Sequence, residues 1–179
     1  MIPYFKKIDS KNFSLPKSLD SIKGEFLFRY GAIAYFKIKD KEYLRSLAEN
    51  FLHIPVSVYL VEAYDYISPH RDNGQDSCIN FYLDAGGYTT KFWIPKDNAK
   101  ILKTTKFDAV SKKFTETKLG YAPEDLILVD SFIANNNEIY CLNIKEIHSV
   151  EGVAPKIPRT FIQFQWNKDF DQLLRDLEI

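Results

Sequence analysis

The sequence predicts a mainly β domain with flanking helices, and three observations carry that prediction. Aromatic residues are abundant, with 14 Phe, 11 Tyr and 2 Trp making up 15% of 179 residues, and pleated, half-buried strands favour aromatic and β-branched side chains. From Val56 to Trp166 the chain is a succession of short apolar or alternating runs broken by turn residues, the pattern of strands at close spacing. Only two segments carry helical periodicity, and both lie outside that stretch. Many short strands with helices outside suit a sandwich or a closed barrel.

Taken in order, the first 30 residues are mixed in character, and Pro3 and Pro16 interrupt regular structure. Gly31–Lys37 reads as a strand. Asp40 is placed to cap a helix with an apolar stripe of Tyr43, Leu44, Leu47, Ala48, Phe51 and Leu52, stopped by Pro55. Val56–Tyr64 is β-branched and aromatic, and Cys78–Leu83 alternates before Asp84–Gly87 turns the chain into Tyr88–Ile94. Leu126–Asp130, Ile139–Ile144, Ile147–Val150 and Thr160–Trp166 bring the expected total to seven or eight strands. Asp169 caps a closing helix in which Phe170, Leu173, Leu174 and Leu177 share a face. Residues 95–124 break the rhythm and carry seven lysines, at 96, 100, 103, 106, 112, 113 and 118. They read as an exposed insertion, with a hairpin near Val110–Ser111. It is either a solubilising feature or a flap over a binding site that favours an anionic or polar substrate.

At 20.9 kDa the chain fits one domain, 1–179, with a β-core of about 54–166, an α/β flank over 1–53 and a closing helix over 168–178. Lys+Arg and Asp+Glu both number 24, and a chain without basic excess is a poor general binder of nucleic acid. Cys78 and Cys141 sit in apolar runs without CxxC spacing, which suits reduced, buried thiols. The N-terminus lacks an apolar signal region, and no run approaches the roughly 18 apolar residues of a membrane span. The expectation is a cytoplasmic protein without a membrane partner. No GxSxG, GxGxxG or GxxxxGK[ST] is present, so hydrolase-elbow, dinucleotide and P-loop readings have no support.

Three histidines exist, at 53, 70 and 148. His53 follows Phe51-Leu52 at a helix end and reads as structural. His70-Arg71-Asp72 is a His-x-Asp, and positions i and i+2 of an extended chain face the same side. Alone, the motif also fits a turn whose Asp72 caps local amides. His148 lies in a later strand, however, and eleven residues on comes Arg159, an arginine that is costly to bury without an anionic partner. Two imidazoles and one carboxylate on one face suit Fe(II) and leave coordination positions open.

With these residues in view, the sequence resembles the Fe(II)- and 2-oxoglutarate-dependent dioxygenases, whose catalytic domain is a double-stranded β-helix, or jelly-roll. The similarity covers about residues 54–166 and rests on Pro69-His70-Arg71-Asp72, on Asn80–Leu83 with Thr90–Trp93, and on His148–Val150 through Arg159–Phe161. It lies nearest the prolyl-hydroxylase-like and aspartyl/asparaginyl-hydroxylase-like branches. The resemblance implies that His70, Asp72 and His148 hold Fe(II) and that Arg159 pairs with the distal carboxylate of 2-oxoglutarate. It also implies that Asn80, with Tyr59 or Tyr64, contacts the same cosubstrate. Many members place a hydroxyl residue two positions after the arginine, where this chain has Phe161. The implied activity is hydroxylation of a small molecule, an amino acid or a protein side chain with O2, releasing succinate and CO2. The alternative is a cupin-like metal- or ligand-binding jelly-roll without 2-oxoglutarate chemistry, which has no need of Arg159.

Overall fold

The computed structural model describes residues 4–9, 13–49, 55–72, 75–108, 113–152 and 158–177. In chain order the elements are β1 (Phe5–Ile8), α1 (Leu19–Ile22), β2 (Lys23–Tyr30), β3 (Ile33–Ile38), α2 (Lys41–Ala48), β4 (Ser57–Ala63), β5 (Ile67–His70) and β6 (Ser77–Asp84). There follow β7 (Thr89–Pro95), β8 (Ile101–Asp108), β9 (Lys113–Tyr121), β10 (Leu126–Ile133), β11 (Ile139–Leu142), β12 (Ile147–Glu151), β13 (Arg159–Trp166) and α3 (Phe170–Asp176). The side chains of Asp40 and Asp169 accept from the N–H groups of Tyr43 and Gln172, satisfying helix-end donors as the sequence suggests. Phe51, Leu52 and His53, expected near the end of α2, lie outside the described residues.

Every strand pairing is antiparallel, and two sheets result. One runs β1-β11-β6-β13-β4-β3-β2 and the other β9-β5-β12-β7-β10. From β4 onward the chain passes back and forth between them, except that β7 is followed by the β8–β9 hairpin and then by β10 beside it: β4, β6, β11 and β13 lie in the first, β5, β7, β10 and β12 in the second. The β8–β9 hairpin links the sheets at their edges, through Arg29 opposite Phe107 and His70 opposite Gly120. No helix among the described residues is long and apolar enough to cross a membrane.

Thirteen strands among the described residues exceed the seven or eight expected. Part of the excess is β1 and β2, in the stretch read as mixed. Register shifts in the pairing of β2 with β3 interrupt its alternation, so no period of two was legible there. β5 is too short to announce itself, with four residues including Pro69. The rest is the lysine-rich insertion, which is two long strands whose base pairs with the strand bearing His70.

Alternation on the first sheet assigns its two faces. Leu60, Ile79, Phe81, Ile139, Ile162, Phe164 and Trp166 turn outward and form one buried cluster with Leu47 of α2 and with Phe170 and Leu173 of α3. The opposite parity turns toward the second sheet, where Val61, Cys78, Tyr82 and Phe161 meet Phe92, Phe132 and Ile144. Both faces are therefore covered, and every residue of β13 is buried. Cys78 and Cys141 are buried, free thiols in these two separate clusters.

Glu138 secures the turn into β11. Burial pushes its carboxyl pKa up. Hydrogen bonds from the Lys7 ammonium at 2.5 Å, from Asn135 and from the Tyr140 hydroxyl outweigh this and hold the pKa at about 2, against an ordinary 4.5. A depressed carboxylate pKa gives stability that is complete above the unfolded value and lost as pH falls toward the folded one. A Glu138→Gln variant should melt below the parent at pH 7, and the gap should close between pH 4.5 and 2. A gap that stayed constant across that window would mean that ionisation of Glu138 contributes nothing.

Candidate functional site

His70 ends β5 and His148 is the second residue of β12, and register places them directly opposite one another. Their rings lie 4.4 Å apart between centroids. The Nδ1 atom of His70 donates to the Ser68 carbonyl at 2.8 Å and that of His148 to the Glu146 carbonyl at 3.0 Å. A carbonyl can only accept, so each ring carries its proton on Nδ1, and Nε2 is the atom it can offer a metal. Asp72 lies just beyond β5, held by its N–H donating to the Ile144 carbonyl at 3.2 Å. Its Oδ1 reaches to 3.4 Å from His70 Nε2. The convergence of His70 and Asp72 therefore comes from a strand end and the loop that follows, not from the pleat of one strand. Ligand atoms of His70, Asp72 and His148 all lie within 4.8 Å of one another. Two neutral imidazoles and a carboxylate in that arrangement can hold a divalent metal ion.

The electrostatics are divided between the two rings. Burial opposes charge on His70, but the Asp72 carboxylate and the Ser68 carbonyl prevail and raise its pKa. His148 is pushed down to about 4, first by burial and then by His70. The two rings are therefore biased in opposite directions, His70 toward the protonated form and His148 toward the neutral one.

This group lines a pocket whose empty space, mouth included, is about 510 Å³. Arg159 lines the same pocket and is 2% exposed. Its Nη1 donates to Thr90 Oγ1 at 3.0 Å, while Nε and Nη2 have no hydrogen-bond partner. The guanidinium lies 4.2 Å from the centre of the Tyr82 ring, a cation–π contact that offsets part of its desolvation. Burial lowers its pKa, and the surrounding Tyr82, Tyr88 and Tyr140 oppose that shift. Among the described residues no carboxylate pairs with it. A buried guanidinium with two idle donor atoms and no carboxylate partner among the described residues is costly, and an anion entering the pocket would relieve that cost. The hydroxyl expected two positions after the arginine is absent, and Thr90 of β7 supplies one from the facing sheet.

Asn80 also lines the pocket, on the face of β6 that carries Cys78 and Tyr82. Tyr59 faces the same inter-sheet space but packs edge-on against Phe28 and Tyr35, at 5.7 and 5.5 Å. It is not on the pocket wall. Tyr64 follows β4, is 38% exposed, and donates to Glu62, also away from the pocket. The tyrosines on the wall are Tyr35 and Tyr82. Tyr82, two residues after Asn80, shares its parity, a signal in the sequence that could have singled it out, whereas Tyr35 comes from a flanking strand that no motif connects to the site. Thr90 and Gln163 complete the polar lining, and Gln163 shares the parity of Arg159 and Phe161. Comparison with protein-family models and with curated proteins gives no match.

Proposed function

We propose that this chain is an Fe(II)- and 2-oxoglutarate-dependent oxygenase that hydroxylates its substrate. One observation carries the reading: Arg159, buried with Nε and Nη2 unpartnered, shares a pocket with the His70–Asp72–His148 group. A metal-binding module alone would gain nothing from such a residue. The passage of the chain back and forth between two sheets from β4 to β13 supports winding as a double-stranded β-helix.

The donor set fits the metal, since two imidazole nitrogens and one carboxylate leave coordination positions for a cosubstrate and O2. Idle guanidinium donors fit a carboxylate, which accepts two parallel hydrogen bonds from such a fork. Bound Fe(II) and 2-oxoglutarate supply the oxidising chemistry, with O2 consumed and succinate and CO2 released. The protein supplies placement. His70 and His148 are oriented by their carbonyl partners, Asp72 contributes the negative charge, and Thr90 steadies Arg159 from the opposite sheet. Ile67, Val150 and Phe161 line the space between and keep water out.

Anaerobic protein mixed with Fe(II) should develop a visible absorption band when 2-oxoglutarate is added, through charge transfer from metal to keto acid. Succinate, which lacks the keto group, should not produce it. Fe(II) binding without any such band would refute the proposal in favour of a cupin-like metal module.

A further inference from the structure

The face of the first sheet that carries the pocket wall bears a file of uncharged polar side chains, of which Gln163, Cys78, Asn80 and Tyr82 line the pocket itself. Ser57 Oγ donates to Gln165 Oε1 at 2.6 Å, and Gln165 Nε2 to Gln163 Oε1 at 2.9 Å. Gln163 Nε2 donates to Cys78 Sγ at 3.8 Å, the Cys78 thiol to Asn80 Oδ1 at 3.7 Å, and Asn80 Nδ2 to Tyr82 Oη at 3.2 Å. Every donor points the same way along the file, so both ends of each amide are assigned by the network. The two links through sulfur are its weak points, because thiols are poor donors and poor acceptors. Gln163 therefore keeps an underused N–H donor and Asn80 an underused C=O acceptor. The two residues are directly opposite on neighbouring strands and both line the pocket.

Register also shows where this pair stands. On β7 Thr90 is opposite Val150 and Phe92 is opposite His148, so the metal group lies about two residues, or roughly 7 Å, along the sheet from the Thr90–Arg159 contact. Gln163 is four residues from Arg159 on β13, roughly 13 Å along the strand. Cys78, beside it, lies close enough to Asp72 for that carboxylate to help raise its thiol pKa, after burial itself. The Asn80–Gln163 pair thus belongs to the metal end of the pocket, away from the cation at Arg159. Among the described residues, no lysine or other arginine lines the pocket.

We propose that Asn80 and Gln163 bind a neutral carboxamide of the prime substrate, its carbonyl accepting from Gln163 and its N–H donating to Asn80. This names the substrate class of the site, rests on the oxygenase reading given above, and gives Asn80 to the prime substrate where the family resemblance gives it to 2-oxoglutarate. A carboxylate in the same place would set an acceptor against the Asn80 oxygen and bury a negative charge beside Asp72, so it is disfavoured.

The test uses the full chain with Arg159→Met, which removes the cation in the same pocket that would itself take a carboxylate, and two matched probe pairs, butyramide with butyrate and benzamide with benzoate, followed by saturation-transfer NMR without added metal. The carboxamides should bind at least about tenfold more tightly than the carboxylates, a difference of 1.4 kcal/mol. Gln163→Leu and Gln163→Glu should abolish that preference. Cys78→Ser is a milder second variant. Its hydroxyl hydrogen-bonds both amides well and competes with the ligand, so carboxamide binding should weaken while the fold is kept. Equal or tighter binding of the carboxylates, no carboxamide binding, or a preference unchanged in all three variants would overturn the proposal. Titration of the chain with Arg159 intact, with and without the Gln163 substitutions, with Fe(II) and 2-oxoglutarate separates the two readings. A Gln163-dependent amide preference without a cosubstrate complex upholds the amide site and sinks the oxygenase. A complex without the preference does the reverse.

Discussion

In an Arg159→Met variant, 2-oxoglutarate affinity should fall about ten- to a hundredfold, while Fe(II) affinity stays at the parent value. The lost interaction is a charge-assisted pair of hydrogen bonds worth about 1.5–3 kcal/mol, and 1.4 kcal/mol is a factor of ten. Methionine occupies much of the same space, so the pocket wall keeps its packing. The stability of the ligand-free protein should move the other way. Nε and Nη2 of Arg159 have no partner, and removing a buried, incompletely paired charge relieves its desolvation cost. Melts with and without 2-oxoglutarate read both effects together: the variant should be at least as stable as the parent alone and gain nothing from the cosubstrate. Arg159→Lys should recover part of the affinity, since it keeps the charge but loses the planar fork. A large loss of stability in Arg159→Met, with cosubstrate affinity untouched, would make Arg159 a structural residue.

Loss of a metal ligand should have the largest effect of all. Asp72→Ala and His148→Ala should each lower Fe(II) affinity by more than about a hundredfold, since even an outer hydrogen-bond partner of a ligand is worth about 10–100-fold. Asp72 is only partly buried, with a side chain 27% exposed, so its removal should leave the fold intact and give the cleaner measurement. Asp72→Ala has a second readout in metal-free protein. The Asp72 carboxylate is the main influence raising the His70 pKa against burial. Without it, burial prevails and the pKa should drop below the ordinary histidine value, measurable by following the ring protons by NMR against pH. Unchanged Fe(II) affinity in both variants would show that the three side chains meet for another reason.

The relation between sequence and structure can be followed residue by residue. Both long helices were legible because capping is local: Asp40 and Asp169 satisfy N–H groups three residues on, and the apolar spacing behind each needs no tertiary information. Seven of the strands between Val56 and Trp166, β4, β6, β7 and β10 to β13, were legible through apolar and alternating runs. The N-terminal strands were not. Register shifts break the period of β2, and the four residues of β1 are held by their pairing with β11, which lies more than 130 residues away in the chain. The lysine-rich insertion was legible as a hairpin, whose apex near Val110–Ser111 lies outside the described residues, but not as a part of the fold that reaches the site. Lysines suggest a solvated loop, yet backbone pairing lets β8 and β9 form a hairpin whose base, at Gly120, lies opposite His70.

By itself the sequence determined the β class, the two capped helices, and the residue types of the site in their order, His70, Asp72, His148 and Arg159. These depend on side-chain chemistry and on periods of two or 3.6, which are properties of neighbouring residues. Only the tertiary structure decided that the three ligands converge, because cross-strand register sets His148 opposite His70 and the Asp72 N–H is held by Ile144 from another part of the chain. It also decided which tyrosines line the pocket. Tyr59 and Tyr82 both face the space between the sheets, but Tyr59 is taken up by Phe28 and Tyr35 whereas Tyr82 lies beneath the guanidinium of Arg159. Whether a buried polar group is satisfied is likewise a property of what surrounds it, and no stretch of sequence states that Arg159 donates to a hydroxyl of Thr90, 69 residues away.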